Sequence, residues 1–155
     1  MRVSVSVVEN TARQLLMLKR ADHIRPGGGL WSFPGGRLDT GETFLAGSRR
    51  ELREEIGTDH EVELLANAGP FRDTFYGGIY RLHLFHYRWR RGSVQLNGEH
   101  TEYAWVGQES YRHYQVMAGV DEDLAYLRLW PISALNHARL PASPRRDRID
   151  PKPRR

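Results

Sequence analysis

Between Gly36 and Gly57 a glycine, an isolated glutamate and a run of arginines and glutamates stand at fixed offsets. The stretch reads Gly36-Arg-Leu-Asp-Thr-Gly-Glu42, then seven residues, then Arg50-Glu51-Leu52-Arg53-Glu54-Glu55-Ile56-Gly57-Thr58. At about 100° of rotation per helical residue, Glu51, Glu54 and Glu55 share an arc of roughly 100°. Leu45, Leu52 and Ile56 gather on a separate arc that can face a core. Like charges three and four residues apart repel by a few tenths of a kcal/mol per pair in an isolated helix, so these carboxylates need neutralising. Arg49, Arg50 and Arg53 can do so in part. Oxygen ligands on a rigid helix are also what Mg²⁺ or Mn²⁺ accepts, with water and substrate phosphates completing the shell. The competing reading is a solvated surface helix laced with ion pairs, and the flanking order decides between the two.

Gly36, Glu42, Arg50, Glu51, Leu52, Glu54, Glu55 and Gly57 resemble the signature box of the Nudix hydrolases: glycine, five residues, glutamate, seven residues, then Arg-Glu-aliphatic-any-Glu-Glu-any-Gly-aliphatic. One position departs from it, Thr58 standing where the family has an aliphatic residue. Trp31-Ser-Phe-Pro-Gly-Gly36, which leads into the box, is similar to the family as well.

The resemblance implies a pyrophosphohydrolase that uses Mg²⁺ or Mn²⁺. Glu51, Glu54 and Glu55 would bind the metal with the backbone carbonyl of Gly36, and Glu51 could instead act through a bound water. Arg50 would hold the carboxylates by charge-assisted hydrogen bonds whose fork lysine does not reproduce. Glu42 would support them from outside the metal shell. Some members recruit a further glutamate as general base or extra ligand. Here Glu99 and Glu102 are the candidates, with Glu99 favoured for its place nearer a loop tip.

Composition agrees with one soluble domain. A chain of 155 residues can bury a sizeable core. It has no cysteine, which excludes disulfides and thiolate metal sites. The alternating start, Met1 to Val8, is too short for a signal peptide, and no run approaches the roughly eighteen apolar residues of a membrane span. The expectation is a cytoplasmic protein with no membrane contact, its oligomeric state open between monomer and homodimer. The formal charge of +4 is concentrated at the end of the chain, where seven basic residues from Arg139 onward face Asp147 and Asp150. We therefore divide the chain into a hydrolase domain, 1–140, and a basic Pro-rich tail, 141–155, expected to be poorly ordered. The tail reads as a solubilising terminus, with weak electrostatic contact to RNA as the alternative.

Along the body, Val3, Val5 and Val7 alternate with serines as in a half-buried strand, and residues 14–19 make a second apolar run. Residues 22–30 form a Gly- and Pro-rich loop. The box helix is predicted over 43–56 with Gly57 as its C-terminal cap. Short strands are predicted at 61–66 and 72–75, a long one at 79–90, another at 103–106, and a second helix over 121–129 before Pro131. Mixed strands with two main helices suit an α/β fold, an α/β/α sandwich around a curved mixed sheet; this is the fold the Nudix resemblance implies.

For the substrate, Trp31, Phe33, Tyr76 and Tyr80 are the candidates to stack on a nucleobase, with Phe75 and Tyr103 also available and core packing the alternative for each. The histidines give no zinc spacing: His83 and His86 fall on opposite strand faces, and His100, His113 and His137 stand apart. The small size and the Trp31-to-Gly36 segment favour nucleoside triphosphates as substrates. Tyr76 falls where dinucleoside polyphosphate hydrolases tend to carry a tyrosine. ADP-ribose and nucleotide sugars stay open, as does a non-catalytic nucleotide-binding regulator. Isopentenyl diphosphate isomerase chemistry in its usual form needs a cysteine, which this chain lacks.

Overall fold

A computed structural model describes residues 1–142. All but the first two positions of the basic tail lie outside the described residues, and with them the expected disorder and RNA contact.

Arg2–Glu9 forms strand β1, and everything around the site is arranged on it. β2 is Leu15–Arg20, β3 Trp31–Ser32, β4 Gly35–Arg37, β5 His60–Arg72, β6 Arg81–Gly92 and β7 His100–Val106. β1 runs parallel to β6, with Val3 opposite Leu82, and antiparallel to the short β4, with Ser4 opposite Gly36. It meets β2 at the Glu9–Leu15 pair. β2 then pairs with β3 and β7, and β6 pairs with β5. The result is one mixed seven-stranded sheet.

Alternate residues of β1 and β2 enter different layers, as the two-residue period of a strand requires. Val7, Leu15 and Met17 join Phe33, Val106, Tyr111, Val120, Leu124, Trp130 and Leu135 in one cluster. Val8, Leu16 and Leu18 join Leu52, Ile56, Phe85 and Tyr87 in the other. Helix α1, Phe44–Ile56, covers the second cluster, and helix α2, Val120–Leu127, contributes to the first. These layers are the α/β/α sandwich expected from the sequence.

α1 has the boundaries its residues dictate. The Thr43 hydroxyl caps the N-terminus by accepting from Ala46 N–H at 3.1 Å. At the other end Gly57 adopts φ 85°, a backbone conformation glycine takes without strain, and its N–H returns to the Arg53 carbonyl.

Three expectations need correction. β1 is not half-buried: Ser4 and Ser6 are both 0% exposed, because α1 packs over this central strand. The Ser6 hydroxyl lies 2.8 Å from that of Ser48 on α1, which in turn lies 2.7 Å from the Tyr87 hydroxyl. This chain of hydroxyls satisfies Ser6 inside the core, whereas the buried Ser4 hydroxyl has no hydrogen-bond partner among the described residues.

The second correction concerns residues 60–80. One strand spans His60–Arg72, interrupted by register shifts, the last lying between Ala68 and Phe71 and taking in Pro70. A bulge tolerates proline, which has no N–H to give the ladder. Residues 73–75 are not a strand. The buried Asp73 carboxylate accepts from the N–H groups of Tyr76, Gly78 and Tyr80, closing a turn that delays β6 to Arg81. Third, α2 ends at Leu127, where Arg128 turns left-handed with φ 55°, ahead of Pro131. Among the described residues no helix is long and apolar enough to cross a membrane.

Ser48→Ala leaves the Ser6 and Tyr87 hydroxyls without their shared partner inside the core. Urea unfolding is expected to read a loss of about 1–3 kcal/mol; a loss below about 0.5 kcal/mol would mean the hydroxyl chain contributes nothing.

Candidate active site

Arg50 projects from α1 and uses every N–H of its guanidinium. Nε donates to Glu42 Oε2 at 2.8 Å, and Nη2 donates to Glu42 Oε1 at 2.9 Å and to the Arg37 carbonyl at 3.0 Å. Nη1 donates to Glu51 Oε1 at 3.0 Å and to Glu54 Oε2 at 3.1 Å. The Glu42 contact is a fork-to-fork pair, the strongest arrangement these groups make. Asp39 lies beside it, 3.3 Å from Nε, and its own N–H donates to Glu42. The Arg50 hydrogen bonds, with that of Asp39, hold the Glu42 carboxyl down at about 2, and Glu42 in turn raises Arg50.

The helix presents its remaining acids at different depths. Glu54 is half exposed, Glu51 is buried, and Glu55 is 2% exposed. Glu55 Oε2 accepts the Gly35 N–H at 2.9 Å, tying the helix to β4. Burial pushes Glu55 well above the usual carboxylate range despite that hydrogen bond, and raises Glu51 against the opposing pull of Arg50. Both oxygens of Glu51 lie within 2.7 Å of where a Cβ on Gly36 would stand, so that backbone approaches the carboxylate only as glycine.

The loop between β6 and β7 completes the cluster. Asn97 donates through Nδ2 to the Glu54 carbonyl at 2.9 Å and accepts the Glu99 N–H at 3.0 Å. The Glu99 carbonyl accepts the Ala21 N–H at 2.9 Å. Anchored at both ends, this turn brings a carboxylate oxygen of Glu99 and a ring nitrogen of His100 to Glu55, all three ligand atoms within 4.8 Å of one another. Burial, with Arg20 nearby, lowers His100 to about 4. Glu102 is placed elsewhere: exposed on β7, it pairs with Lys19 at 3.3 Å. The register shift between Lys19 and Arg20 leaves Thr101 as an extra residue. The strict alternation of the strand is lost, and His100 is buried while Glu102 faces solvent.

Beside the acids a cavity of about 320 Å³ opens, of the size that takes small ligands. Gly35, Gly36 and Arg37 form its wall toward the carboxylates, and Phe33, Tyr76 and Tyr80 line it. Trp31 is not among the lining residues; it packs edge-on against Tyr114 at 5.0 Å and joins the core. The Tyr76 hydroxyl donates to the Ala118 carbonyl at 2.8 Å, joining the Asp73 turn to the segment before α2 across the cavity. Sequence reasoning did not single out Arg20, Arg25, Arg37 or Met117, which also line it. They come from three separate chain segments, and no spacing rule links them.

The acids outnumber the bases that hold them. Glu55 is buried, Glu99 stands against it, and His100 Nδ1 is buried with no hydrogen-bond partner among the described residues. Donors gathered this closely, with Glu55 beyond the reach of the Arg50 hydrogen bonds, suit a divalent metal.

The chain matches the NUDIX domain family model over residues 1–127. It is 34% identical over 113 residues to nucleoside triphosphatase NudI of Escherichia coli O139:H28 (strain E24377A / ETEC), covering 65% of this chain and 78% of that one. Its fold is similar to the crystal structure of a MutT protein from Methanosarcina mazei Go1, with a TM-score of 0.65, 22% identity, and 83% and 91% of the two chains covered. It is also similar to a C. elegans Ap4A hydrolase binary complex, with a TM-score of 0.65, 19% identity, and 81% and 95% covered.

Glu42 supplies a pH test of the clamp. Its carboxyl titrates at about 2 in the folded chain against an ordinary 4.5. Its contribution to stability is therefore complete above the ordinary value and is lost as pH falls toward the folded one. Glu42→Gln is expected to lower the melting temperature at neutral pH, with the gap to wild type closing between pH 4.5 and about 2. A gap independent of pH would contradict the clamp.

Proposed function

The chain belongs to the Nudix hydrolases, enzymes that act on phosphoanhydride bonds, and we propose that it hydrolyses nucleoside triphosphates to nucleoside monophosphate and pyrophosphate with Mg²⁺ or Mn²⁺. The observation that carries this reading is the shared wall: Gly36 lines the cavity on one side and touches the Glu51 carboxylate on the other. A nucleoside in the cavity has its phosphates directed at the acids. The relative named nucleoside triphosphatase supports the substrate class.

In this reading the Gly36 carbonyl, Glu51, Glu54 and Glu55 hold the cation, with Glu99 reaching in from its loop. Bound there, a divalent ion neutralises phosphate oxygens and acidifies water. Arg50 fixes Glu51 and Glu54 so that ligand geometry is set before the cation arrives, and Glu42 fixes Arg50. Glu51 or Glu99 would take the proton from the attacking water. Phe33, Tyr76 and Tyr80 bound the space for the base, and Arg20, Arg25 and Arg37 set positive charge around the phosphates. Glu102, engaged with Lys19, has no part in the chemistry.

The decisive assay is a panel of nucleoside triphosphates, dinucleoside polyphosphates, ADP-ribose, GDP-mannose and capped RNA, each with Mg²⁺ and with Mn²⁺. Nucleoside triphosphates are expected to give the highest kcat/KM. Glu55→Gln is expected to lower kcat on the order of 10³-fold, since the cation contributes several kcal/mol. Preference for another substrate would replace the substrate class, and full activity in Glu55→Gln would remove Glu55 from the metal site.

A further inference from the structure

His100 takes no part in the reading above, yet it stands inside the ligand cluster. It is 5% exposed, and its Nδ1 is buried without a hydrogen-bond partner among the described residues. A buried polar nitrogen left unpaired is unfavourable, and a ligand to it removes that penalty. Its position is built: the Asn97 turn anchors the loop to the end of α1, and the extra residue at Thr101 turns the ring inward. One of its ring nitrogens lies within 4.8 Å of a carboxylate oxygen of both Glu55 and Glu99. This separation allows three donors to surround one cation.

We propose that His100 ligates the same cation as Glu55 and Glu99, so that the site carries a nitrogen donor and selects first-row transition ions such as Mn²⁺ and Co²⁺ over Mg²⁺. The inference rests on Glu55 and Glu99 being metal ligands. Mg²⁺ demands hard oxygen donors and parts reluctantly with its waters, whereas imidazole suits the transition series. Replacing one oxygen by nitrogen therefore weakens the site for Mg²⁺ and strengthens it for the later ions.

The test uses the full, tag-free chain and Mn²⁺ alone, without nucleotide. Pulsed electron paramagnetic resonance of the Mn²⁺-loaded wild type is expected to show the coupling of a directly bound ¹⁴N nucleus, changing to the ¹⁵N pattern when histidine is ¹⁵N-labelled. His100→Asn is expected to abolish the coupling. Calorimetry is expected to find Mn²⁺ affinity reduced about tenfold or more in that variant, with Mg²⁺ affinity kept or raised. A second measurement needs no variant: Zn²⁺ titration of the wild type should shift the ring ¹⁵N resonances of His100 among the seven histidines. Mn²⁺ bound without nitrogen coupling, coupling that survives His100→Asn, or an unshifted His100 ring would each overturn the proposal while leaving the carboxylate site standing. Failure of the wild type to bind Mn²⁺ at all would remove both.

Discussion

Arg50 is placed where five carboxylate and carbonyl oxygens converge, and its guanidinium has five N–H groups to give them. Glu42 takes two, Glu51 and Glu54 one each, and the Arg37 carbonyl the last. This pairing answers the difficulty posed by the helix itself, whose acids would otherwise repel across little more than one turn. A lysine in the same place has one compact charge and three donors, and could not hold four groups in a plane. The clamp also joins elements distant in sequence: the Arg37 carbonyl belongs to β4, Glu42 to the loop before the helix. Fixing Arg50 therefore fixes α1 against the strand that separates the acids from the cavity.

What the clamp leaves unbalanced is as important as what it satisfies. Glu55 lies deeper than Arg50 reaches, held by one backbone N–H and raised by its burial. Glu99 and His100 approach it on a turn tied to the helix end by Asn97. The sheet makes this meeting possible. β1 carries β4 on one edge, while its hairpin partner β2 carries β7, so the acids of α1 and the turn of Glu99 meet near Gly35 and Arg20.

Local chemistry made much of this legible beforehand. Thr43, Gly57 and the spacing of Leu52 and Ile56 define α1 and its buried side, because a helix writes its caps and period into adjacent residues. The order of Glu42, Arg50 and the three later glutamates identified the family for the same reason. The rest depends on contacts between distant segments. Ser4 and Ser6 look solvent-facing until Ser48 and Tyr87 are known to meet Ser6 from another helix and strand. His100 has no metal spacing in sequence, since Glu55 lies on another segment and a bulge reverses the expected side. Trp31 and Phe33 have similar sequence claims to a ligand; both pack with the same core cluster, and only Phe33 also lines the cavity.

On our proposal, α1 and the loop of Glu99 share one divalent cation beside Gly36. Crystals grown with Mn²⁺ and measured at its absorption edge test it directly. One anomalous peak is expected, bonded to oxygens of both Glu55 and Glu99, with Arg50 still paired to Glu42. The contradictory result is a peak elsewhere, or none, with Glu55 and Glu99 unchanged.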